Sequence, residues 1–317
     1  MKSNLFLTLA LAFLFSFSTS CIYEVEPCEP ETEEPSEGGE TGGGETGGGE
    51  TGGGETGGGE TGGGETGGGE VGTFVSLPGN ETNNDCTPWK RVRTGNIELE
   101  NNVWGTNGDG RYQSCLITNA DGSYGWTWST PSGLNNNVKM YLQSVVGHKP
   151  FFHYTLGEGF PFSPNELEVF NAHFKSETNA SGKYNLAFEF WTVKEYHSDD
   201  EYINKTRAGG NNITGEYMFW MQAHFGMPIS HHDQLIDGRR WNVTVGGSGQ
   251  LYVAFIPADG NDITEATIDF IPFIDWLEKE NLINPNEKIV SLELGNEVIE
   301  GSGKTVIRDY AVNVSKK

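Results

Sequence analysis

Short runs in which apolar and polar residues alternate recur throughout residues 72–317, and they constrain the fold more than any other feature of the chain. Alternation with a period of two residues is the pattern of a β-strand that buries one face. Turn residues separate the runs at intervals typical of antiparallel sandwiches and barrels. The clearest runs are Val138–Val146, Tyr184–Val193, Gly215–Gln222, Trp241–Val245, Gln250–Ile256, Ile289–Leu294 and Thr305–Val314.

One segment has a different period. In Thr264–Glu280 the apolar residues Ile268, Ile271 and Leu277 can lie on one side of a helix, and the segment ends in charged residues. The pattern therefore predicts an all-β domain over residues 72–317 that contains a single α-helix.

Residues 1–20 have the features of a secretory signal peptide. Lys2 precedes a short apolar stretch, and small residues stand before Cys21, where a signal peptidase would cut. The apolar stretch is too short for a membrane span. A cysteine at this point is typical of a bacterial lipoprotein, so we expect either a lipid on Cys21 or ordinary cleavage and release. Any membrane anchoring is expected only through a lipidated Cys21.

Residues 21–71 carry much of the excess acidity of the chain. The chain has a formal net charge of −24, and 14 of its Glu residues lie in residues 22–70, where there is no Lys or Arg. Repeats of Gly-Gly-Gly-Glu-Thr contain no apolar residue that could build a core, so this segment is predicted to be a disordered linker. An acidic chain without basic clusters is not expected to bind nucleic acid.

The cysteines and histidines are candidates for a disulfide and for a metal site. Cys86 and Cys115 are the only cysteines of the predicted domain, and in an exported protein we expect them to form a disulfide. Cys28 lies in the linker and is either free or paired with Cys21. His231–Asp233 resembles a metal-binding triplet, but adjacent residues of a strand point to opposite faces, so no metal site is predicted.

Three predicted strands place carboxylates beside Trp, Asn or Gln on one face, with an apolar face behind. A solvated sheet surface is one explanation. However, such a surface seldom carries Met and Trp between its acids, whereas a sugar-binding cleft needs aromatic rings for stacking and carboxylates for the glycosidic bond. The residues on these faces are Glu216, Met218, Trp220 and Gln222; Asn185, Ala187, Glu189 and Trp191; and Glu293, Gly295 and Glu297.

The order of motifs along the domain resembles glycoside hydrolase family 12, whose members are endo-β-1,4-glucanases and xyloglucanases with a β-jelly-roll fold. The Glu-x-Met-x-Trp and Asn-Asn-x-Trp-Gly elements are the most specific. The matching segments are Cys86–Trp89, Asn101–Gly105, Gln113–Cys115, Asn136–Lys139, Ala187–Glu189, Glu216–Trp220 and Gly295–Glu297.

The resemblance implies a sandwich of two antiparallel sheets with a concave substrate cleft, and a retaining double displacement without cofactor or metal. Glu216 matches the nucleophile and Glu297 the acid/base, while Glu189 matches a third carboxylate that is usually Asp. Cys86 and Cys115 match the family disulfide. Residues that match sugar contacts are Trp89, Asn102, Trp104, Asn185, Met218 and Trp220.

The chain departs from the family pattern in three places. Residues 296–299 read Asn-Glu-Val-Ile where the family has Thr-Glu-Pro-Phe or Thr-Glu-Ala-Phe, so Glu293 and Glu300 are kept as alternative acids. Glu at position 189 extends its carboxylate one methylene further than Asp would. The connection Lys194–Thr214 is longer than usual, which is expected to reshape one end of the cleft.

These observations predict an extracellular, monomeric endo-acting hydrolase of β-1,4-glucan, whether cellulose-like, mixed-linkage glucan or xyloglucan. A related sandwich xylanase is one alternative. A non-catalytic carbohydrate-binding protein is another, in which the changes around Glu297 mark a lost activity.

Overall fold

A computed structural model describes residues 83–94, 97–131, 133, 136–150, 159–196, 212–247 and 249–317. The predicted signal peptide, linker, Cys21 and Cys28 lie outside these residues, as does most of Lys194–Thr214. None of the helices in the described ranges is long and apolar enough to cross a membrane.

The described residues form strands with one α-helix, which confirms the predicted all-β class. Two short 3-10 turns, Trp104–Thr106 and Pro164–Glu166, accompany them. In chain order the elements are β1 (Asn83–Asp85), β2 (Arg91–Thr94), β3 (Ile97–Asn102), β4 (Gln113–Thr118), β5 (Tyr124–Ser129), β6 (Met140–Gly147), β7 (Leu167–Val193), β8 (Ile213–Ala223), β9 (His231–Ile236), β10 (Arg239–Gly246), β11 (Leu251–Pro257), β12 (Glu265–Asp269), α1 (Ile271–Lys279), β13 (Lys288–Ile289) and β14 (Ser291–Lys316).

The long strands β7 and β14 pair antiparallel along most of their length and take part in both layers of a sandwich. Residues 184–193 of β7 and 291–298 of β14 lie in a layer that we call the cleft sheet, with the order β2-β3-β6-β14-β7-β8-β11-β10-β9. The remaining halves of β7 and β14 lie in the outer sheet, in the order β1-β4-β5-β14-β7-β12.

Aromatic contacts within β7 establish that the two layers face each other. Phe174 of the outer half meets Phe188 of the cleft half edge-on, with ring centroids 5.3 Å apart, and the tilted rings of Phe170 and Phe190 have centroids 6.1 Å apart. Residues so far apart on one strand can touch only if the strand folds back over the core. The core side of the cleft sheet is as the alternation predicts, because Leu186, Phe188, Phe190, Tyr217, Phe219 and Met221 are all buried.

Two glycines make this bend possible. Gly182 and Gly301 are opposite each other on β7 and β14, and both have positive φ, at 103° and 114°. A Cβ on Gly301 would press into the carbonyl oxygen of Ser181, and one on Gly182 into that of Glu300. Only glycine fits this backbone without strain.

The prediction of a helix over Thr264–Glu280 is wrong in its first part. Glu265–Asp269 is strand β12, which pairs with the outer half of β7. The helix begins after Asp269, whose carboxylate accepts the backbone N–H of Ile271 at 3.0 Å. Proline in the first turn of the helix favours this start. Ile268 is buried as predicted, but it is buried from a strand.

We predict that Gly301→Ala lowers the free energy of unfolding by about 3 kcal/mol, since it combines a strained φ with backbone overlap. Urea denaturation midpoints would measure the loss. Gly110→Ala is the matched control, because nothing lies within 4 Å of the added methyl and its φ is not positive. Equal stability of the two variants would contradict the role given to the bend.

Candidate active site

The predicted carboxylates share one face of the cleft sheet. Glu293 of β14 is directly opposite Glu189 of β7, and Glu189 is directly opposite Met218 of β8. Glu216 lies two residues from Met218 and therefore points to the same side. Glu297 occupies the same face of β14, opposite Tyr141 of β6.

Exposure divides these four glutamates into two pairs. Glu216 and Glu297 retain partial solvent exposure. Glu189 is 2% exposed and Glu293 is fully buried. Only the first pair can be reached by a bound molecule, so the face presents two accessible carboxyls supported by two buried ones.

Glu297 is held by Asn185 through two hydrogen bonds. The Asn185 side-chain amide donates to Glu297 Oε2 at 2.5 Å, and its carbonyl oxygen accepts the backbone N–H of Glu297 at 2.9 Å. Asn296, the departure from the family pattern, accepts from the Trp126 indole at 2.7 Å and donates to the backbone carbonyl of Asn185. Asn296 therefore braces the residue that orients Glu297.

The accessible carboxyls have raised pKa values. Burial raises the pKa of Glu216 to about 8, and the charges of Glu297 and Glu293 add to the rise, while Lys149 and a hydrogen bond from Gln250 oppose it. Burial raises the pKa of Glu297 to about 7, against the hydrogen bond from Asn185. Since the two charges interact, the carboxyls exchange protons as a pair near neutral pH.

The buried carboxyls differ in their partners. Glu293 accepts from Ser291 at 2.8 Å and Trp191 at 3.3 Å, and it forms an ion pair with Lys149 at 3.2 Å. Burial, followed by the charge of Glu293, raises the pKa of Glu189 well above its usual range.

Sequence reasoning missed Lys149, Tyr141, Gln250 and Tyr252. Lys149 and Gln250 lower the pKa of Glu216, Tyr141 hydrogen-bonds Glu189, and Tyr252 donates to Met218. Lys149 is 6% exposed and comes just after β6, where no alternation marks it. Tyr141 lies on the cleft face in a run that was identified, and extending the face argument to β6 would have found it.

Two predicted sugar contacts are exposed aromatic rings. Trp89 and Trp104 are 50% and 47% exposed. The Trp104 backbone N–H donates to Asn102 Oδ1 at 3.3 Å, and Asn102 is opposite Tyr141, which is in turn opposite Glu297. Trp104 thus belongs to the Glu297 side of the sheet.

The loop that carries Trp89 is fixed at several points. A disulfide joins Cys86 to Cys115, as predicted. The Trp89 backbone N–H donates to the carbonyl of Asn101 at 2.9 Å, and the Asn101 side chain donates to Thr87 O at 2.9 Å. Trp89 therefore presents its ring from a braced loop.

Met218, Trp220 and Asn185 have no exposed surface in this structure. The Trp220 ring packs against Phe225 with centroids 4.7 Å apart, and Met218 Sδ accepts from the Tyr252 hydroxyl at 3.3 Å. These three residues form the floor beneath the accessible carboxyls, in contrast to the open rings of Trp89 and Trp104.

The alternative acids are occupied elsewhere. Glu293 is buried in its ion pair, and Glu300 lies at the bend near Lys183, at 3.7 Å. His231 packs against Trp276, and no group of three or more His, Cys, Asp or Glu within the described ranges is arranged to hold a metal ion.

Comparison with known proteins gives no match to a protein-family model. The chain is 26% identical over 225 residues to endoglucanase S of Pectobacterium parmentieri, covering 68% of this chain and 81% of that protein. It is also 26% identical over 249 residues to a probable xyloglucan-specific endo-β-1,4-glucanase A of Aspergillus terreus, covering 73% and 87%.

Solved structures show the same fold. A family 12 xyloglucanase from Bacillus licheniformis matches with a TM-score of 0.61 and 24% identity, covering 74% of this chain and all of that one. An endoglucanase from Rhodothermus marinus matches with a TM-score of 0.59 and 22% identity, covering 74% and 99%. The predicted jelly roll and the resemblance to glycoside hydrolase family 12 are confirmed. The expectation of purely antiparallel sheets is wrong at one pair, because β8 and β11 run parallel in the cleft sheet.

We predict that Glu216→Gln stabilises the protein at alkaline pH. The folded-state pKa of Glu216 is raised, so the folded state holds a proton that the unfolded state has lost, and wild-type stability falls as pH rises from about 4.5 to about 8. The variant escapes this loss, which is on the order of a few kcal/mol. Its free energy of unfolding should exceed that of wild type at pH 9 and equal it at pH 4.

Glu265→Gln is a control, because the pKa of Glu265 is lowered in the folded state whereas that of Glu216 is raised. An ion pair with Lys175 lowers the pKa of the exposed Glu265, so its removal should not stabilise the protein at any pH. Urea denaturation at pH 4, 7 and 9 would measure all three proteins. A Glu216→Gln variant no more stable than wild type at pH 9 would mean that Glu216 is not desolvated.

Proposed function

We propose, from the likeness to glycoside hydrolase family 12, that the chain is an endo-acting β-1,4-glucan hydrolase that retains anomeric configuration. The observation that carries the proposal is the pair of accessible glutamates, Glu216 and Glu297, with raised pKa values on one face of the cleft sheet, on whose Glu297 side the exposed ring of Trp104 lies. Paired carboxyls beside aromatic rings suit cleavage of a glycosidic bond.

In the productive state Glu216 is ionised and Glu297 carries a proton. Glu297 gives that proton to the glycosidic oxygen as the bond to the anomeric carbon breaks, and Glu216 attacks that carbon to form a glycosyl-enzyme ester. Glu297, now a carboxylate, takes a proton from water, whose oxygen displaces Glu216. The pKa values favour the proton on Glu216, so the productive form is the less abundant arrangement of one shared proton, and its share of the singly protonated pair does not change with pH.

The substrate that we propose is a neutral β-1,4-glucan chain, as in cellulose, mixed-linkage glucan or xyloglucan. Trp89 and Trp104 offer stacking surfaces for pyranose rings, and Asn102 lies beside Trp104 with a side-chain amide that can bind sugar hydroxyls. Asn185, Met218 and Trp220 support the acids from below. Glu189 supports Glu216.

We further propose that the domain of residues 72–317 works outside the cytoplasm. Residues 1–20 would direct export, and Cys21 would carry a lipid or become the free end. The Gly- and Glu-rich residues 21–71 would then act as a spacer of about 40 Å, the span of a flexible chain of that length.

We predict that Glu216→Gln and Glu297→Gln each lower kcat/KM on barley glucan by at least about a thousandfold, because each removes a group that acts on the reacting atoms. Reducing-end release from carboxymethylcellulose, barley glucan and xyloglucan would measure the activity. Proton NMR of the first product should detect the β anomer in wild type.

A soluble wild-type protein that binds glucan but releases no reducing ends would instead favour the carbohydrate-binding alternative, for which the changed residues Val298 and Ile299 are the motivation. Release from xylan alone would favour the xylanase alternative. Glu216→Gln with full activity would refute the assignment of the nucleophile.

We also predict a bell-shaped pH profile with kcat/KM highest between pH 7 and 8. The pKa values of Glu297 and Glu216 are about 7 and about 8, so the singly protonated pair is most abundant between them. Initial rates on barley glucan at low substrate concentration, from pH 4 to 10, would test this. A maximum below pH 5 would contradict the raised pKa values.

A further inference from the structure

A buried lysine stands behind the catalytic carboxyls. Lys149 is 6% exposed, and its ammonium lies 3.2 Å from Oε2 of the fully buried Glu293. Ser291 donates to the other oxygen of Glu293, and the Trp191 indole donates to Oε2. A carboxylate with an ion pair and two further donors is well stabilised in its charged form.

Glu189 has different interactions from Glu293, although it faces Glu293 directly across the strands. Like charges directly opposite each other on a sheet are unfavourable, the more so when both are buried. Among the described residues no cation lies within ion-pair distance of Glu189, whereas Glu293 has Lys149. The pair is therefore stable with Glu293 charged and Glu189 protonated.

Glu189 and Glu216 are diagonal neighbours, because Glu189 is opposite Met218 and Glu216 lies two residues along β8 on the same face. Side chains in this relation can reach each other. A protonated Glu189 has one O–H to donate, and an ionised Glu216 can accept it.

We infer that Lys149 and Glu293 are positioning residues that keep Glu189 protonated, so that Glu189 can hydrogen-bond the nucleophile Glu216 in its ionised form. This inference rests on the proposed function. The buried ion pair would thus affect the reaction through the protonation of Glu189, although neither Lys149 nor Glu293 touches the sugar.

The groups that face Glu189 from each neighbouring element support this assignment. Glu216 on β8, together with Glu293 and Glu297 on β14, opposes a charge on Glu189, while Lys149 favours one. The hydroxyls of Tyr141 on β6 and Tyr252 on β11 stay protonated, since burial and the nearby carboxyls raise both pKa values well above 10. Glu100 on β3 also favours the charged form of Lys149.

Removal of Glu293 tests the inference. In Glu293→Gln, Lys149 loses its ion pair with Glu293 and draws Glu189 into the charged form. The nucleophile then loses its donor and gains a charged neighbour, which raises the pKa of Glu216, so the descending limb of the pH profile of kcat should move up by roughly one pH unit. At the wild-type optimum kcat should fall about tenfold with KM nearly unchanged.

A second substitution tests whether the effect passes through Glu189. Glu189→Gln cannot ionise, so adding Glu293→Gln to it should cause little further change in the pH profile. Glu98→Gln is the matched control, because Glu98 lies in the same row of the sheet and has its own partner, Arg91, at 3.3 Å. It should leave the descending limb in place.

A readout without substrate separates this inference from the proposed function. The infrared carbonyl band of a protonated carboxyl at neutral pH should be weaker in Glu189→Gln than in wild type, and equally weakened in Glu293→Gln. If wild type cleaves no glucan but the band behaves in this way, the proposed function fails and the protonation of Glu189 stands. If Glu293→Gln leaves both band and profile unchanged, or acts equally in the Glu189→Gln background, the inference is refuted.

Should Glu293→Gln fail to fold, the double variant Lys149→Met with Glu293→Gln replaces it, since no buried charge is then left alone. Lys149 would then no longer draw Glu189 into the charged form, so the double variant should keep the wild-type descending limb. A shifted limb in this folded variant would equally refute the inference.

Discussion

The pairing of β7 with β14 is the constraint on which the rest of the structure depends. Each strand serves both layers, so the bend at Gly182 and Gly301 sets how the layers face each other. The cleft half of the pair supplies Glu189, Glu293 and Glu297, while its outer half lies behind the core. The register between β7 and β14 therefore sets both the site of the bend and the placement of the carboxyls.

That register explains why the site has two kinds of glutamate. Successive residues on one face of a strand lie about 7 Å apart, so acids at alternate positions are close enough to interact. Where the surrounding strands cover them, as at Glu189 and Glu293, the charges need a cation or a proton. Where the face opens, at Glu216 and Glu297, water and substrate can enter and the protons can move. The ion pair with Lys149 compensates the charge of Glu293, whereas Glu189 avoids a buried charge by being protonated.

Much of this arrangement could be predicted from the sequence, because strand alternation depends only on local pattern. It correctly assigned the faces of β7, β8 and β14, and the two glutamates that the motif resemblance singled out, Glu216 and Glu297, are the two that keep solvent exposure. It failed at Thr264–Asp269, where pairing with β7 decides between strand and helix and no local pattern reveals that partner. It also failed for Lys149, since only tertiary contact shows that this lysine is buried against Glu293. The burial of Trp220 beneath Phe225 likewise depends on a loop that alternation does not describe.

The electrostatics of the face restrict the partner more closely than the net charge of −24 does. Much of that charge belongs to residues 22–70, whereas the site concentrates acids that burial already forces toward their protonated forms. A uronate-bearing polysaccharide would bring further negative charge to carboxyls that repel one another, and it would raise their pKa values further, which disfavours the ionised nucleophile. A neutral glucan removes water from the same face without adding charge, so Glu216 and Glu297 can still divide one proton between them. The arrangement of acids thus favours an uncharged polysaccharide for the same reason that it allows the two carboxyls to take different roles.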